Sequence, residues 1–237
     1  MSGHSHYATT HRQKELKDAA KGQIFSKLAR AITIAAKTGG GPSPDSNYKL
    51  RIAIDKARAV SMPKENIDRA ISKAAGGEAM DEVTFEGFGP SGIAVLVEVA
   101  TDNRNRTTPE IRNLFEKSGG KMGTPGSVAF NFDPKGMLIV SKESDFDSQL
   151  LNLIDLGAED VEDLENGEVA VYVAPHVLGD VQKKFNEKGI EVKSAELIQK
   201  PKNLQEVTGE DVQKVEKFIE NLESHDDVQK VFTNAAF

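Results

Sequence analysis

The sequence predicts an α+β protein: an N-terminal three-helix domain followed by α/β units. Three observations carry this. Apolar residues recur every three to four positions up to Gly76-Gly77 and alternate as in strands beyond it. Residues 137–197 contain a weak internal repeat, strand–helix–strand twice over. Charge is polarised along the chain: residues 1–76 hold 14 Lys and Arg against 6 Asp and Glu, a net of +8. The whole 237-residue chain is −7, so residues 77–237 carry −15. A polypeptide divided in this way offers a cationic lobe to a polyanion and keeps its anionic part clear of it.

Composition narrows the field. There is no cysteine, which excludes disulfides, thiol catalysis and cysteine-based zinc or iron–sulfur sites. No apolar run reaches the roughly 18 residues of a spanning helix. The N-terminus lacks the apolar core of a signal peptide and the Arg- and Ser-rich character of a transit peptide. The chain reads as a cytoplasmic, bacterial protein.

Residues 1–18 form a polar arm. His4, His6 and His11 have no carboxylate or cysteine at ligand spacing, so metal is the weaker reading. Tyr7, His11, Arg12 and Lys14 suit base stacking and phosphate pairing, and Lys17, Lys21 and Lys27 continue the positive charge. A first helix is predicted over 19–37, where Ile24, Leu28, Ala31 and Ala35 make one stripe and Phe25, Ala29, Ile32 and Ala36 a second beside it. Thr38-Gly39-Gly40-Gly41-Pro42 stops it. A second helix is expected over 46–60, with Leu50, Ala53, Ile54 and Ala57 inward and Lys49, Arg51, Lys56 and Arg58 on other faces. Pro63 opens a third, with Ile67, Ala70, Ile71 and Ala74 buried and Lys64 at its start.

Strands follow. Val83–Glu86 is a short one, residues 87–92 a turn, and Ile93–Ala100 so apolar that both faces should be buried. Thr107 and Glu110 read as a capping box, with Pro109 in the first turn of a helix that closes at Ser118-Gly119-Gly120. Residues 121–126 read as a glycine-rich loop, Ser127–Phe132 as a strand and Asp133-Pro134-Lys135-Gly136 as a turn. The repeat then reads βαββαβ, the ferredoxin-like order. Residues 136–200 hold 6 Lys against 14 carboxylates, a poor nucleic-acid surface. The last helix (Val212, Val215, Phe218, Ile219, Leu222), capped by Thr208 to Asp211, and the strand Val228–Thr233 cannot form a domain alone. Either they complete the set at 83–132, making 136–200 an insertion, or one sheet runs through both units.

Catalytic patterns are scarce. The loop at Gly119–Gly126 lacks the Gly-Lys-Ser/Thr ending of a phosphate-binding loop, and no Gly-x-Ser-x-Gly elbow occurs. His176 and His225 read as isolated surface residues, and Glu159-Asp160 and Asp226-Asp227 as solvated charges. Arg104 and Arg106 ahead of a helix permit two readings: an anion site, or ion pairs to Asp102 and Glu110 that fix the loop.

At these residues the chain resembles the YebC/PmpR family, which includes the mitochondrial translational activator of cytochrome c oxidase I. The matching segments are Met1 to Ser5, Gly22 to Leu28, Leu50 to Arg58, Met62 to Ile67, Thr101 to Thr107, Gly123 to Phe130 and Asp226 to Val231. His6 and Tyr7 stand where the family commonly has Lys-Trp, which removes one cation and the largest ring. The resemblance implies three domains, one helical and two α/β, the third inserted in the second. The expected fold is therefore α+β: a three-helix domain, residues 1–76, then two ferredoxin-like α/β domains, residues 77–135 with 201–237, and residues 136–200.

The resemblance also implies a gene-expression factor without catalysis of its own. Some members are described as DNA-binding transcriptional regulators. Others act at the ribosome and help synthesis through proline-rich stretches. Rows of Asn or Gln for base readout are missing beside the basic faces, which favours a ribosomal RNA surface over a DNA sequence. The expected nucleic-acid contacts are His11, Arg12, Lys14, Lys17, Lys21, Lys27, Lys49, Arg51, Lys56, Arg58, Lys64, Arg104 and Arg106. No catalytic residue, metal, cofactor, membrane or small-molecule substrate is expected, and the chain is expected to act as a monomer. An enzyme using the glycine-rich loop is the third and weakest reading.

Overall fold

The computed structural model describes residues 18–76, 80–164 and 167–237. Among the described residues three helices come first: α1 (Asp18–Thr38), α2 (Tyr48–Ala59) and α3 (Lys64–Ala75). Then follow β1 (Asp81–Phe88), β2 (Ala94–Thr101), α4 (Arg104–Lys117), β3 (Lys121–Met122) and β4 (Phe132–Ser141). Next are α5 (Phe146–Asp155), β5 (Asp160–Asp163), β6 (Glu168–Val173), α6 (Leu178–Glu187) and β7 (Val192–Pro201). The chain finishes with β8 (Gln205–Glu206), α7 (Glu210–Glu223), β9 (Val228–Thr233) and β10 (Ala235–Ala236).

The helical domain closes around the predicted stripes. Leu50, Ala53, Ile54 and Ala57 of α2 meet Ile32, Ala35 and Ala36 of α1 and Ile67 and Ala70 of α3. Asn47 ties the first two helices together. Its side chain accepts from the Leu50 N–H at 3.0 Å and donates to the Ala35 and Gly41 carbonyls at 2.7 and 2.8 Å. A Cβ on Gly39 would stand 2.3 Å from the Asn47 side-chain oxygen, so this corner accepts only glycine.

Two four-stranded antiparallel sheets follow, in the orders β3-β1-β2-β9 and β5-β6-β4-β7. The second is a ferredoxin-like βαββαβ sheet. The first has the same layout, with β1 entering before β2 instead of after β3. Because β9 returns to the first sheet, the β4–β7 unit is an insertion, and the reading of one continuous sheet falls.

Strand alternation then decides what each face covers. Val95, Val97 and Val99 of β2 pack under α4 and α7 with Phe115 and Phe218, whose rings meet edge-on at 5.2 Å. Leu138 and Val140 of β4, with Val169, Val171 and Val173 of β6, pack against α5 and α6. The opposite faces of the two sheets share one core: Ala94, Leu96 and Phe232 from the first, Met137, Ile139, Ala170, Tyr172 and Ile198 from the second. Each ferredoxin-like sheet thereby covers the other's open face, a hydrophobic contact that holds the insertion in place.

Several local expectations are corrected. Asp133 to Gly136 are strand, paired with Lys200 to Leu197. Pro134 is tolerated because β6 begins its pairing only at Gly136, leaving β4 a neighbour on one side there. Gly136 is a packing residue: a Cβ would stand 2.9 Å from Leu178 and Val173 side-chain atoms. Residues 127–131 are not strand; Ala129–Asn131 is a single 3-10 turn. The third strand of the first sheet is instead Lys121–Met122, within the stretch read as loop. Asn103, not Thr107, caps α4, accepting from the N–H groups of Asn105 and Arg106, and Pro109 lies inside the helix. Gly209 starts α7 with no side-chain cap.

Candidate nucleic-acid interface

The expected contact residues divide by what they touch. His11, Arg12, Lys14 and Lys17 lie outside the described residues, as do His4 and His6; Lys21 lies in α1. Arg51, Arg58 and Lys64 are exposed on the outer sides of α2 and α3. Arg51 donates to the Pro44 carbonyl at 3.1 and 3.0 Å and to that of Asp45 at 3.0 Å, bracing the loop before its own helix. Arg58 stands 3.6 Å from Asp55, both well exposed, a pair of the kind that contributes little. Arg69 and Lys73 extend the exposed cations along α3, with Glu65 and Asp68 between them.

Lys27, Lys56 and Arg106, with Arg30, instead face inward, at two seams between the helical domain and the sheets. At the first seam, α1 lies against the loop between α7 and β9. Lys27 donates to the Glu223 carbonyl and Arg30 to that of Asp226. Gln23 Nε2 reaches the Asp226 carboxylate at 3.0 Å. The centre is Asp227, only 2% exposed, with Arg30 Nη1 at 2.8 Å, Arg106 Nη2 at 2.8 Å and the Thr107 hydroxyl donating at 2.6 Å. Burial works against its charge, but Thr107, Arg106 and Arg30 outweigh that and hold the carboxyl below its ordinary range. His225 completes the knot: Nδ1 accepts from the Asp227 N–H, and Nε2 is 3.1 Å from Glu110.

Asp227 and His225 are therefore neither a solvated charge nor an isolated surface residue, as their sequence surroundings suggest. No local signal marks them, since Thr107 and Arg106 lie about 120 residues from Asp227 and Arg30 lies 197 residues from it. Of the two readings of Arg106, ion pairing is the one observed: besides Asp227 it is 3.0 Å from Asp102 and 3.9 Å from Glu110. Arg104 pairs with Asp81 at 2.9 Å instead of Asp102, with both partners more than half exposed.

At the second seam α2 meets the inserted sheet. Lys56 Nζ is 2.5 Å from Glu196, which is 1% exposed and also 3.2 Å from Lys230. Burial, then Lys230, draws the Lys56 ammonium down to about 8, against the upward pull of Glu196. Its side chain keeps 34% of its surface in solvent, so water softens that burial.

The glycine-rich loop is already supplied with an anion from its own chain. Glu86 of β1, buried, accepts from the N–H groups of Gly126, Val128 and Ala129 at 2.6, 2.8 and 2.8 Å. Burial pushes its carboxyl up, yet the three donors prevail and hold it below the usual range. The three backbone donors are thus committed to a carboxylate of the chain itself. Among the described residues no group of three or more His, Asp or Glu is placed to hold a metal ion, and no helix is long and apolar enough to cross a membrane.

Fold and contacts together define an α+β protein of three docked domains, whose cations are shared between internal seams and an outer helical surface. The chain belongs to the TACO1/YebC family. Residues 5–77 match the family's N-terminal domain and residues 80–235 its second and third domains. A relative from Dictyoglomus turgidum is 47% identical over 99% of this chain and 95% of its own, and one from Syntrophotalea carbinolica is 46% identical with the same coverage. Both are described as probable transcriptional regulatory proteins. The crystal structure of a conserved hypothetical protein from Aquifex aeolicus superposes with a TM-score of 0.86 at 41% identity, covering 96% of this chain and 95% of that one.

Proposed function

We propose that the chain is a non-enzymatic, nucleic-acid-binding regulator of gene expression. It acts as a cytoplasmic monomer that lies on ribosomal RNA through the outer side of its helical domain and aids synthesis through proline-rich stretches. The observation that carries this reading is the division of cations on α2 and α3. Lys56 turns inward to Glu196, while Arg51, Arg58 and Lys64 stay exposed with Arg69 and Lys73 nearby. His11, Arg12, Lys14, Lys17 and Lys21 precede that surface in the chain and would extend it along the phosphates. Lys27, Lys56, Arg104 and Arg106 serve the fold in this reading.

The names of the relatives favour a second reading, a DNA-binding transcriptional regulator. That function needs a helix presenting several base-reading side chains to a groove. The outer faces of α2 and α3 carry mixed Arg, Lys, Asp and Glu, a pattern suited to phosphates. Co-sedimentation with ribosomes at low salt, abolished in an Arg51→Glu/Arg58→Glu/Lys64→Glu variant that stays folded, is the expected result. Absence of co-sedimentation, together with tight binding to one promoter and not to its scrambled version, would replace this reading with the second.

A further inference from the structure

The helical domain does not close flush on the sheets. α1 and α2 on one side, and β2, β9, β7 and the start of β4 on the other, surround a cavity of about 530 Å³. That volume falls among small-molecule sites, which form preferentially where domains meet. The helical side brings aliphatic Leu28, Ala31 and Ile34 from α1 and Ile52 from α2, with Lys49 and Lys56 of α2 beside them. The opposite side mixes apolar residues such as Val99 and Leu197 with charged ones, and strand alternation explains the charge. Leu96 and Glu98 share a face of β2, as do Phe232 and Lys230 on β9, and Ile198 and Glu196 on β7. The first of each pair is in the core shared by the sheets. The second of each pair brings charge to the cavity end of that interface, where Glu98 and Lys230 line the wall.

Most of that charge is settled internally. Lys56 and Lys230 share Glu196, Lys230 also donates to the Leu197 carbonyl, and Lys135 pairs with Glu159 at 2.7 Å. Two donors lining the cavity, one from each side, make no hydrogen bond. Gln229 Nε2 is buried and has no hydrogen-bond acceptor, an arrangement native proteins seldom keep without a reason. Lys49 lines the cavity without a hydrogen bond or close ion pair to a described residue, its ammonium drawing on the Glu98 carboxylate only at longer range. Five lysines line the space against two glutamates, Glu82 and Glu98. Burial, with Glu82 beside it, pushes the Glu98 carboxyl upward more than Lys230, Gln199 and Lys49 draw it back.

We propose that this cavity is a binding site for a small organic anion with an apolar body, its carboxylate head taken by Lys49 and Gln229 and its body laid on the aliphatic residues of α1 and α2. The ligand is an effector seated between domains, not a substrate, and the site stands whether or not the outer helical surface binds RNA.

The test uses the full chain and octanoate, measured by calorimetry and by displacement of anilinonaphthalene sulfonate. One saturable site is expected, with octan-1-ol and octylammonium bound at least tenfold more weakly. Lys49→Met and Gln229→Leu should each weaken octanoate at least tenfold while the ligand-free protein melts no lower than the parent. A variant that melts lower is replaced by the milder Lys49→Gln or Gln229→Met, read in the same way. Equal binding of octan-1-ol, or octanoate binding untouched by both substitutions, would overturn the proposal. So would the lack of saturable binding by both octanoate and the sulfonate dye, which would show a cavity filled by water only.

Discussion

The two seams of the helical domain make an instructive pair. Both set a buried carboxylate against two cations, one of them from the helical domain: Asp227 with Arg30 and Arg106 at the first, Glu196 with Lys56 and Lys230 at the second. The first is arginine-built. Planar guanidinium groups and the Thr107 hydroxyl converge on one carboxylate and leave it 2% exposed. The second is lysine-built. Point charges on flexible stems leave room beside them, and a cavity with unsettled donors opens there. The contrast teaches that a run of cations in the sequence is not itself a site. The segment Thr101 to Thr107, with its two arginines, has the look of an anion trap and is a fastener. The strand around Glu98 has the look of pure scaffold and edges the cavity.

Substitutions at buried and exposed carboxylate pairs should separate the two kinds of contact. Asp227→Ala should do the most damage, because it strands Arg30, Arg106 and Thr107 together. A loss of about 3 kcal/mol in urea unfolding at pH 7 is expected. The sign with pH follows from the lowered carboxyl. Its contribution is present above the unfolded value of about 3.9 and disappears as pH falls through the folded one. Parent and variant should therefore converge in acid; a gap that persists below about pH 2 would show that packing, not charge, is responsible.

Glu86→Ala should cost less, about 2 kcal/mol, since three backbone donors lose one shared acceptor. Millimolar sulfate should restore part of that stability in a thermal melt, by entering the vacated cradle; no response to sulfate would mean the loop collapses once Glu86 is gone. Arg104→Ala should matter least, below about 0.5 kcal/mol, because its pair with Asp81 is exposed and screened. A larger fall in melting temperature would make Arg104 a structural residue on a par with Arg106.

Much of the fold is readable from the residues themselves. The helical stripes of α1, α2 and α3, the βαββαβ repeat and the return of the last helix and strand all rest on local periodicity, and each is present. The errors come where a local signal competes with a distant partner. Pro134 and Gly136 spell a turn, yet β7 supplies a neighbour some 65 positions on and α6 supplies the close approach that glycine allows. The two-residue strand β3 is too short to leave a pattern. Asp227, Glu196 and Glu86 find these partners between 34 residues (Glu196 to Lys230) and 197 residues (Asp227 to Arg30) away, and nothing in their immediate surroundings distinguishes them from surface acids. The expected nucleic-acid surface is legible only as a charge total. Which cations turn inward depends on where the sheets lie.

Salt titration tests that division of cations most directly. Binding of the full chain to a ribosomal RNA fragment should be measured from about 50 to 300 mM salt, the range where counterion release dominates affinity. Arg51→Ala/Arg58→Ala/Lys64→Ala should flatten the slope of log K against log salt by about 3, one for each phosphate that no longer meets a cation, while Lys56→Met leaves it unchanged. An unaltered slope in the triple variant, or an equal flattening in Lys56→Met, would show that the outer helical cations are not what holds the RNA.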